Sequence, residues 1–89
     1  MGYEPVAYDH EADALYVQLM DAPVARTHPL DDLRLIDYTE DGGVIGVEFL
    51  EAKYGIDLRD LPFSNKIDAL IRQAGLGTPQ PSATMTASQ

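Results

Sequence analysis

The chain has no cysteine and no tryptophan among its 89 residues, and it has only six basic residues against 15 acidic ones. The lack of cysteine excludes disulfides and thiolate metal sites. Small domains without such supports commonly gain stability by self-association, so we expect a homo-oligomer, most simply a dimer. No apolar run approaches the roughly 20 residues that a membrane-spanning helix needs.

The shortage of positive charge limits the partners that this chain can bind. Its formal net charge is -9, whereas nucleic acids and anionic membranes attract basic surfaces. We therefore expect no nucleic acid and no membrane as a partner. Residues 1–8 contain neither the basic nor the apolar segment of a signal peptide, so we expect a cytoplasmic protein.

Alternating apolar residues predict a small antiparallel sheet. Over residues 14–19, Leu15, Val17 and Leu19 fall on one side of a strand, which is typical of a half-buried strand. Further extended segments are predicted at residues 3–8, 24–27 (ending at Pro29), 33–38 and 44–50, with a corner at Asp31 and Asp32. The connecting loops are short, which favours a β-meander of four to five strands.

A hairpin and one helix complete the predicted fold. Asp41-Gly42-Gly43 supplies the positive φ angles of a hairpin turn between the last two strands. A helix is expected over about residues 64–75, with Asn65 as N-cap and Gly75 just past its end. One apolar stripe follows its helical period: Ile67, Leu70, Ile71 and Ala74.

The stripe has two possible uses, to cover the sheet of its own chain or to cover a second subunit or another protein. Residues 1–76 are predicted to form a single α+β domain. Residues 77–89 carry no charged side chain and are expected to be disordered.

Asp9, Glu11 and Asp13 alternate like the first ligands of a calcium-binding loop. Such a loop requires glycine at its sixth position and glutamate at its twelfth, and these positions hold Ala14 and Met20. We interpret the segment as a turn in which an aspartate accepts backbone N–H groups. No metal ion and no cofactor is predicted.

The two histidines, His10 and His28, are the residues on which an enzymatic alternative depends. Together with the acidic turn they would form a metal- or ligand-dependent site, although neither has a second histidine at helical spacing. The serines lie near the helix start or in the last segment, where no activated nucleophile is expected. No catalytic residue is assigned.

Asp37 and Glu48 each interrupt an apolar strand of the predicted hairpin. If both point outward with Arg34, they are ordinary solvated residues; if both point inward, repulsion would raise one pKa and indicate a functional site. Tyr16 suits a sheet face or subunit contact, or a core position whose hydroxyl reaches solvent. The predicted binding residues are Asp9, Glu11, Asp13, Tyr16, Asp37 and Glu48, with the helix stripe Ile67, Leu70, Ile71 and Ala74 as a partner-binding face.

Three motifs follow one another along the first 52 residues: Tyr8-Asp9-x-Glu11-Ala12-Asp13-Ala14-Leu15-Tyr16-Val17-x-Leu19, Val24-Ala25-x-Thr27, and Asp37-Tyr38-x-x-Asp41-Gly42-x-Val44-Ile45-Gly46-Val47-Glu48-Phe49-Leu50-x-Ala52. In this order they resemble the prokaryotic family known as domain of unknown function 2283. The resemblance implies a small, mainly β domain found in bacteria and archaea. It implies no activity and no catalytic residue.

These observations favour a non-enzymatic protein-interaction or regulatory module that self-associates and binds a protein partner. The acidic surface also suits an antitoxin-like partner of a basic, toxin-like protein, because opposite charges speed association. A small metal- or ligand-dependent enzyme stays open as the alternative.

Overall fold

The structure is a computed structural model that describes residues 5–75. In chain order its elements are β1 (Val6–Asp9), β2 (Ala14–Gln18), β3 (Arg26–Asp31), β4 (Arg34–Tyr38), β5 (Val44–Leu50), a 3-10 turn (Ala52–Tyr54) and α1 (Ser64–Gln73). The strands form one antiparallel sheet in the order β1-β2-β5-β4-β3. The predicted α+β class, an antiparallel sheet with one helix, is confirmed.

The central strand of the sheet is β5, which pairs with β2 on one side and β4 on the other. Consecutive strands are neighbours in the β1–β2 pair and in the β3–β4–β5 unit. Residues 19–25 then carry the chain to the far edge, so that β2 lies beside β5 and not beside β3. The sheet is antiparallel as predicted, but its strand order is not that of the predicted β-meander, because this connection carries the chain past β5 and β4. The observed order places Val17 opposite Val47 and gives β5, the most apolar strand, a hydrogen-bonded strand on each side.

One face of the sheet is covered by α1. Leu15 and Val17 lie opposite Phe49 and Val47 on this face, and all four are buried. Ile67 and Ile71 of α1 belong to the same core and are 0% and 1% exposed. Burying a side chain of this size is worth about 1.5–3 kcal/mol, so the sheet of the same chain holds the helix in place.

The helix stripe is therefore used mainly inside the chain. Leu70 is half-buried against the core that Ile67 and Ile71 enter, and Ala74 is exposed. Of the two uses left open by the sequence, the structure shows the first, and the centre of the predicted partner-binding face is not available to a partner.

The expected N-cap of α1 is wrong, although the helix does begin at Ser64. Phe63 is the N-cap in a left-handed conformation (φ 57°), without a side-chain hydrogen bond at the cap, and Asn65 lies inside the first turn. Leu61 is buried in the core, so the chain must turn sharply between it and Ile67. Backbone conformation, which capping propensity does not report, makes this turn. Gly75 has φ 77° just past the helix end, as predicted.

The third strand begins and ends later than predicted, at Arg26 and Asp31, and it continues through Pro29. The sequence-based segment stopped at this proline because proline lacks a backbone N–H. An edge strand pairs on one side only, and β3 is an edge strand, which is where proline is tolerated. The predicted corner follows, with Asp31 Oδ1 accepting the Leu33 N–H at 3.0 Å.

The β4–β5 hairpin forms as predicted, but with one positive φ angle in its glycine pair. Gly42 has φ 93°, and the Thr39 N–H donates to the Gly43 carbonyl at 2.8 Å. The Thr39 hydroxyl also accepts the Gly43 N–H at 2.8 Å. Two sequence-based expectations, the start of the first strand at Tyr3 and the disordered segment 77–89, lie outside the described residues.

Arg34 is the only charged residue that is buried among residues 5–75, with 6% of its surface exposed. Its guanidinium donates two hydrogen bonds to Asp31 Oδ2, at 2.7 and 3.0 Å, and two more to the backbone carbonyls of Asp57 and Arg59. A buried charge is tolerated when it is paired and fully hydrogen-bonded. Arg34 thereby joins the β3–β4 turn to the loop that leads to α1.

Replacing Arg34 by lysine should destabilise the fold by about 2–4 kcal/mol, because one ammonium group cannot reach all these acceptors and buried acceptors would lose their donors. Urea unfolding measures this change. Arg72→Lys is the matched control, since Arg72 forms an exposed i,i+4 pair with Asp68 and should change stability by less than about 0.5 kcal/mol. Equal effects of the two substitutions would contradict the role given to Arg34.

The same cluster should make stability depend on pH. Hydrogen bonds from Arg59 and the nearby Arg34 charge lower the pKa of Asp57, and a hydrogen bond from Arg34 lowers the pKa of Asp31. A carboxyl group whose pKa is lower in the folded state stabilises the fold above its unfolded pKa of about 4, and this stabilisation is lost as pH falls toward the folded value. We expect Asp57→Asn to be less stable than the wild type at neutral pH. The difference in urea midpoint between the wild type and Asp57→Asn should become smaller below about pH 4. A difference that stays constant with pH would contradict this.

Candidate interaction surface

The second face of the sheet, here called the open face, is covered by no helix or strand among residues 5–75. Its side chains are those that alternate away from the core, and apart from two small residues, Ala14 and Gly46, they are half-buried or exposed. The open face consists of Ala7, Asp9, Ala14, Tyr16, Gln18, Thr27, Pro29, Leu35, Asp37, Gly46, Glu48 and Leu50.

A hydrogen-bonded network crosses the open face. The Tyr16 hydroxyl donates to Asp37 Oδ2 at 2.8 Å, and the Thr27 hydroxyl donates to Asp37 Oδ1 at 2.5 Å. Both carboxylate oxygens of Asp37 therefore have a donor, which stabilises its negative charge. The network links β2, β4 and β3 while passing over the central strand β5.

Gly46 of β5 makes room for this crossing. A Cβ at this position would lie 2.5 Å from the Tyr16 hydroxyl oxygen, 2.7 Å from Tyr16 Cζ and 2.6 Å from the Val17 carbonyl oxygen. The Tyr16 ring therefore lies directly on the backbone of Gly46. Only glycine allows a ring to approach a strand this closely.

Glu48 lies in the middle of the open face. In the register of the sheet it is opposite Tyr16 on one side and opposite Leu35 on the other. It is half-buried, and its carboxylate has no hydrogen-bond or ion-pair partner within the part of the chain that the structure describes. It differs in this from Asp37, whose two oxygens both accept hydrogen bonds.

Three of the six predicted binding residues come together here: Tyr16, Asp37 and Glu48. Asp37 and Glu48 both lie on the open face, as in the solvated alternative, but Arg34 does not accompany them. By alternation Arg34 lies on the covered face, opposite Phe49. The part of that alternative in which Arg34 points outward with the two acids is wrong, because Asp31 and two carbonyl groups hold its guanidinium in the interior.

The other three predicted binding residues lie at the end of β1 (Asp9) and in the β1–β2 turn (Glu11 and Asp13). Asp9 Oδ1 accepts the backbone N–H groups of Glu11 (3.0 Å) and Ala12 (3.3 Å), which confirms the interpretation of this segment as an aspartate-stabilised turn. Asp13 accepts the Tyr8 hydroxyl at 2.6 Å, and this hydrogen bond raises the pKa of Tyr8. The Lys53 N–H also donates to Asp13, at 3.0 Å. These contacts connect the turn to the segment after β5.

The histidines do not join these carboxylates in one site. His10 follows β1 and packs edge-on against Tyr8, with ring centroids 4.6 Å apart. His28 lies in β3 at the opposite edge of the sheet, beyond β2, β5 and β4. Among residues 5–75, no group of three histidine or carboxylate side chains is placed to hold a metal ion.

A shallow groove lies beside the hairpin turn, away from the predicted binding residues. Ala22, Pro23 and Val24 form its apolar wall, and Glu40 and Asp41 lie on its acidic side. A hydrogen bond from Thr39 lowers the pKa of Asp41 and favours its charged form. None of the residues that line the groove belongs to the open-face network.

Charge is distributed unevenly between the two faces of the sheet. Asp9, Asp37 and Glu48 lie on the open face. Arg26 and Arg34, the two basic residues on strands, alternate onto the other face. Arg26 packs over the ring of Tyr38, with its guanidinium carbon 4.9 Å from the ring centroid. The strands thus give the open face negative charge and no compensating positive charge.

These features define a small α+β domain with one sheet face covered by its own helix and an acidic open face crossed by a tyrosine–aspartate–threonine network. The chain belongs to the family described as "Protein of unknown function (DUF2283)", whose model matches residues 6–53, just over half of its length. This confirms the resemblance seen in the sequence motifs. The matched segment contains all five strands and every residue of the open face.

The chain is also similar to an uncharacterized protein, MJ0789, of Methanocaldococcus jannaschii. The two are 41% identical over 58 residues, which cover 63% of this chain and 49% of the relative. The chain thus spans about half the length of the curated relative that it matches. No solved structure matches it. Within residues 5–75, no helix has the length and apolar character to cross a membrane.

Two residues of the network, Gly46 and Thr27, were not among the predicted binding residues. Gly46 had a detectable signal, since a glycine inside an apolar strand often marks a close approach of another group. Thr27 had no such signal in the sequence, because its contact with Asp37 depends on the pairing of β3 with β4.

Gly46→Ala should destabilise the fold by about 1–3 kcal/mol, because the new methyl group would overlap the Val17 carbonyl and the Tyr16 ring. Urea unfolding tests this, and the Tyr16 ring resonances should shift in the NMR spectrum. Ala7→Val, which enlarges an exposed residue of the same face, is the control and should cost less than about 0.5 kcal/mol. Adding Tyr16→Ala should relieve only part of the loss, since the overlap with Val17 remains. A fully stable Gly46→Ala chain would contradict this packing.

Proposed function

We propose that this chain is a non-catalytic interaction domain that binds a protein partner through its open face. The observation that carries the proposal is the unequal covering of the sheet. Ile67 and Ile71 close one face from within the chain, while no described helix or strand covers the other. Exposed faces that combine an aromatic residue, apolar area and charge are typical of protein interfaces.

The composition of the open face supports a specific protein contact. Tyr16 and Leu35 are half-buried and flank the carboxylate of Glu48. Tyrosine is enriched among residues that dominate binding energy, because it offers a large contact area with few rotatable bonds. Tyr16 is also already held by Asp37, so it would lose little freedom on binding.

The enzymatic alternative has less support from the geometry. Both oxygens of Asp37 accept hydrogen bonds, Asp9 stabilises its turn, and the histidines lie at opposite edges of the sheet. A general acid or base needs an activating neighbour and a place for the reacting atom. The predicted groups do not converge in that way within residues 5–75.

Self-association stays a prediction, and so does the antitoxin-like role. The net charge of -9 favours a basic partner and opposes contact between two copies of the same acidic face. Sedimentation equilibrium over a range of concentrations and salt would measure whether the chain forms a dimer.

A photo-crosslinking amino acid in place of Leu35 should give a discrete cross-linked product in a native extract. The same group in place of Ala69, which is exposed on α1, should not give that product. The informative measurement is competition by the unlabelled chain. Wild type should suppress the cross-link, and Leu35→Gln should compete about tenfold less well, because the loss of an apolar contact of this size is worth about 1–2 kcal/mol.

Leu33→Gln is the matched control, since Leu33 is an exposed leucine in the turn before β4. It should compete within about twofold of the wild type, in line with the small effect of surface substitutions. The mass of the cross-linked product distinguishes a second copy from a different protein. If both glutamine variants compete equally well, the open face is not the binding surface.

A further inference from the structure

The Tyr16 ring forms a fixed platform on the open face. Its hydroxyl is held by Asp37 at 2.8 Å, and its ring rests on the backbone of Gly46, where a Cβ would lie 2.7 Å from Tyr16 Cζ. The side of the ring that faces Gly46 is therefore packed. Tyr16 keeps part of its surface accessible, being half-buried.

Two carboxylates adjoin this platform. Glu48 is directly opposite Tyr16 in the β2–β5 register, where side chains of facing residues lie about 4.5–5.5 Å apart at their Cβ atoms. Asp37 lies at the hydroxyl end of the ring. Glu48 has no partner for its charge within residues 5–75, and neither of the basic residues on strands reaches this face by alternation.

We propose that Tyr16 and Glu48 form a seat for the guanidinium group of an arginine on the partner protein, an inference that rests on the function proposed above. The planar guanidinium would stack on the Tyr16 ring and form two parallel hydrogen bonds with the Glu48 carboxylate. Arginine combines these two contacts, whereas the compact, strongly hydrated ammonium of lysine does not.

Charge complementarity favours such a partner over a second copy of this chain bound face to face. Two open faces in contact would bring two surfaces with negative and no positive strand residues together. Like charges placed against each other oppose association. An arginine on a basic protein surface would instead neutralise a carboxylate that lacks a partner.

The probe for this seat is a blocked arginine, N-acetyl-arginine N-methylamide, titrated into the full-length 15N-labelled chain. Saturable amide shifts are expected at Tyr16, Gly46 and Glu48. The blocked lysine should bind at least threefold more weakly, and the blocked citrulline, which keeps the shape of arginine without its charge, at least tenfold more weakly. Shifts spread evenly over the acidic surface, or equal binding of arginine and lysine, would overturn the proposal.

Glu48→Gln should weaken binding of the blocked arginine about tenfold, because it removes the charge-assisted pair while keeping the shape of the side chain. The matched control is Glu40→Gln, which makes the same change at an exposed glutamate of the hairpin turn and should alter binding less than twofold. The Glu48 side chain makes no hydrogen bond or ion pair among residues 5–75, so its variant should keep the amide dispersion of the wild type. Equal effects of the two substitutions would show general attraction to an acidic protein and no seat.

The competition assay with the cross-linked partner separates this inference from the function on which it rests. If Leu35→Gln competes poorly but Glu48→Gln competes like the wild type, the open face binds a partner without the arginine seat, and only this inference fails. If neither variant is impaired, the function proposed above fails as well. Impairment of both variants, together with selective binding of the blocked arginine, supports both.

Discussion

The alternation of side chains along β5 is the constraint on which the two faces depend. Ile45, Val47 and Phe49 point to the covered face, where α1 packs, and Gly46 and Glu48 point the other way. Because β5 pairs on both sides, its pattern fixes the register of β2 and β4 at the same time. A shift of one residue would expose the apolar side chains and bury the glutamate.

Arg34 complements this apolar core in a way that suits a small domain. The residues after β5 have little regular structure before α1, and a loop of this kind offers few backbone hydrogen bonds to fix it. The guanidinium of Arg34 binds two of its carbonyl groups and is neutralised by Asp31, while Ile56 and Leu61 enter the core from the same loop. The position of α1 therefore depends on polar as well as apolar contacts.

Local sequence patterns predicted the strands and helix well because those patterns are set by nearest neighbours. The alternation in residues 14–19, the hairpin glycine Gly42 and the periodicity of the helix all follow from local geometry. The strand order, the inward position of Arg34 and the N-cap at Phe63 were not predicted. Each depends on segments that are distant in sequence, and no local propensity describes such contacts.

The candidate surface likewise has a part that local sequence patterns predict and a part that depends on contacts between distant segments. Tyr16, Asp37 and Glu48 were selected because polar groups interrupt apolar strands, which is a local signal. That Tyr16 reaches Asp37 across Gly46 depends on the register of three strands. The sequence alone left open whether the two acids point outward or inward, and the packing of α1 on the opposite face of the sheet answers this.

The position of Glu48 is difficult to explain by stability alone. Glutamate is disfavoured in strands, and the carboxylate of Glu48 gains no hydrogen bond or ion pair among residues 5–75 that would offset this. Asp37, by contrast, gains two hydrogen bonds and helps to fix Tyr16. Locally unfavourable residues are expected at functional sites, where they serve binding and not the fold. A carboxylate without a partner among residues 5–75, placed beside a fixed aromatic ring, is such a combination, and an arginine from a partner would supply the hydrogen bonds that this carboxylate does not make there.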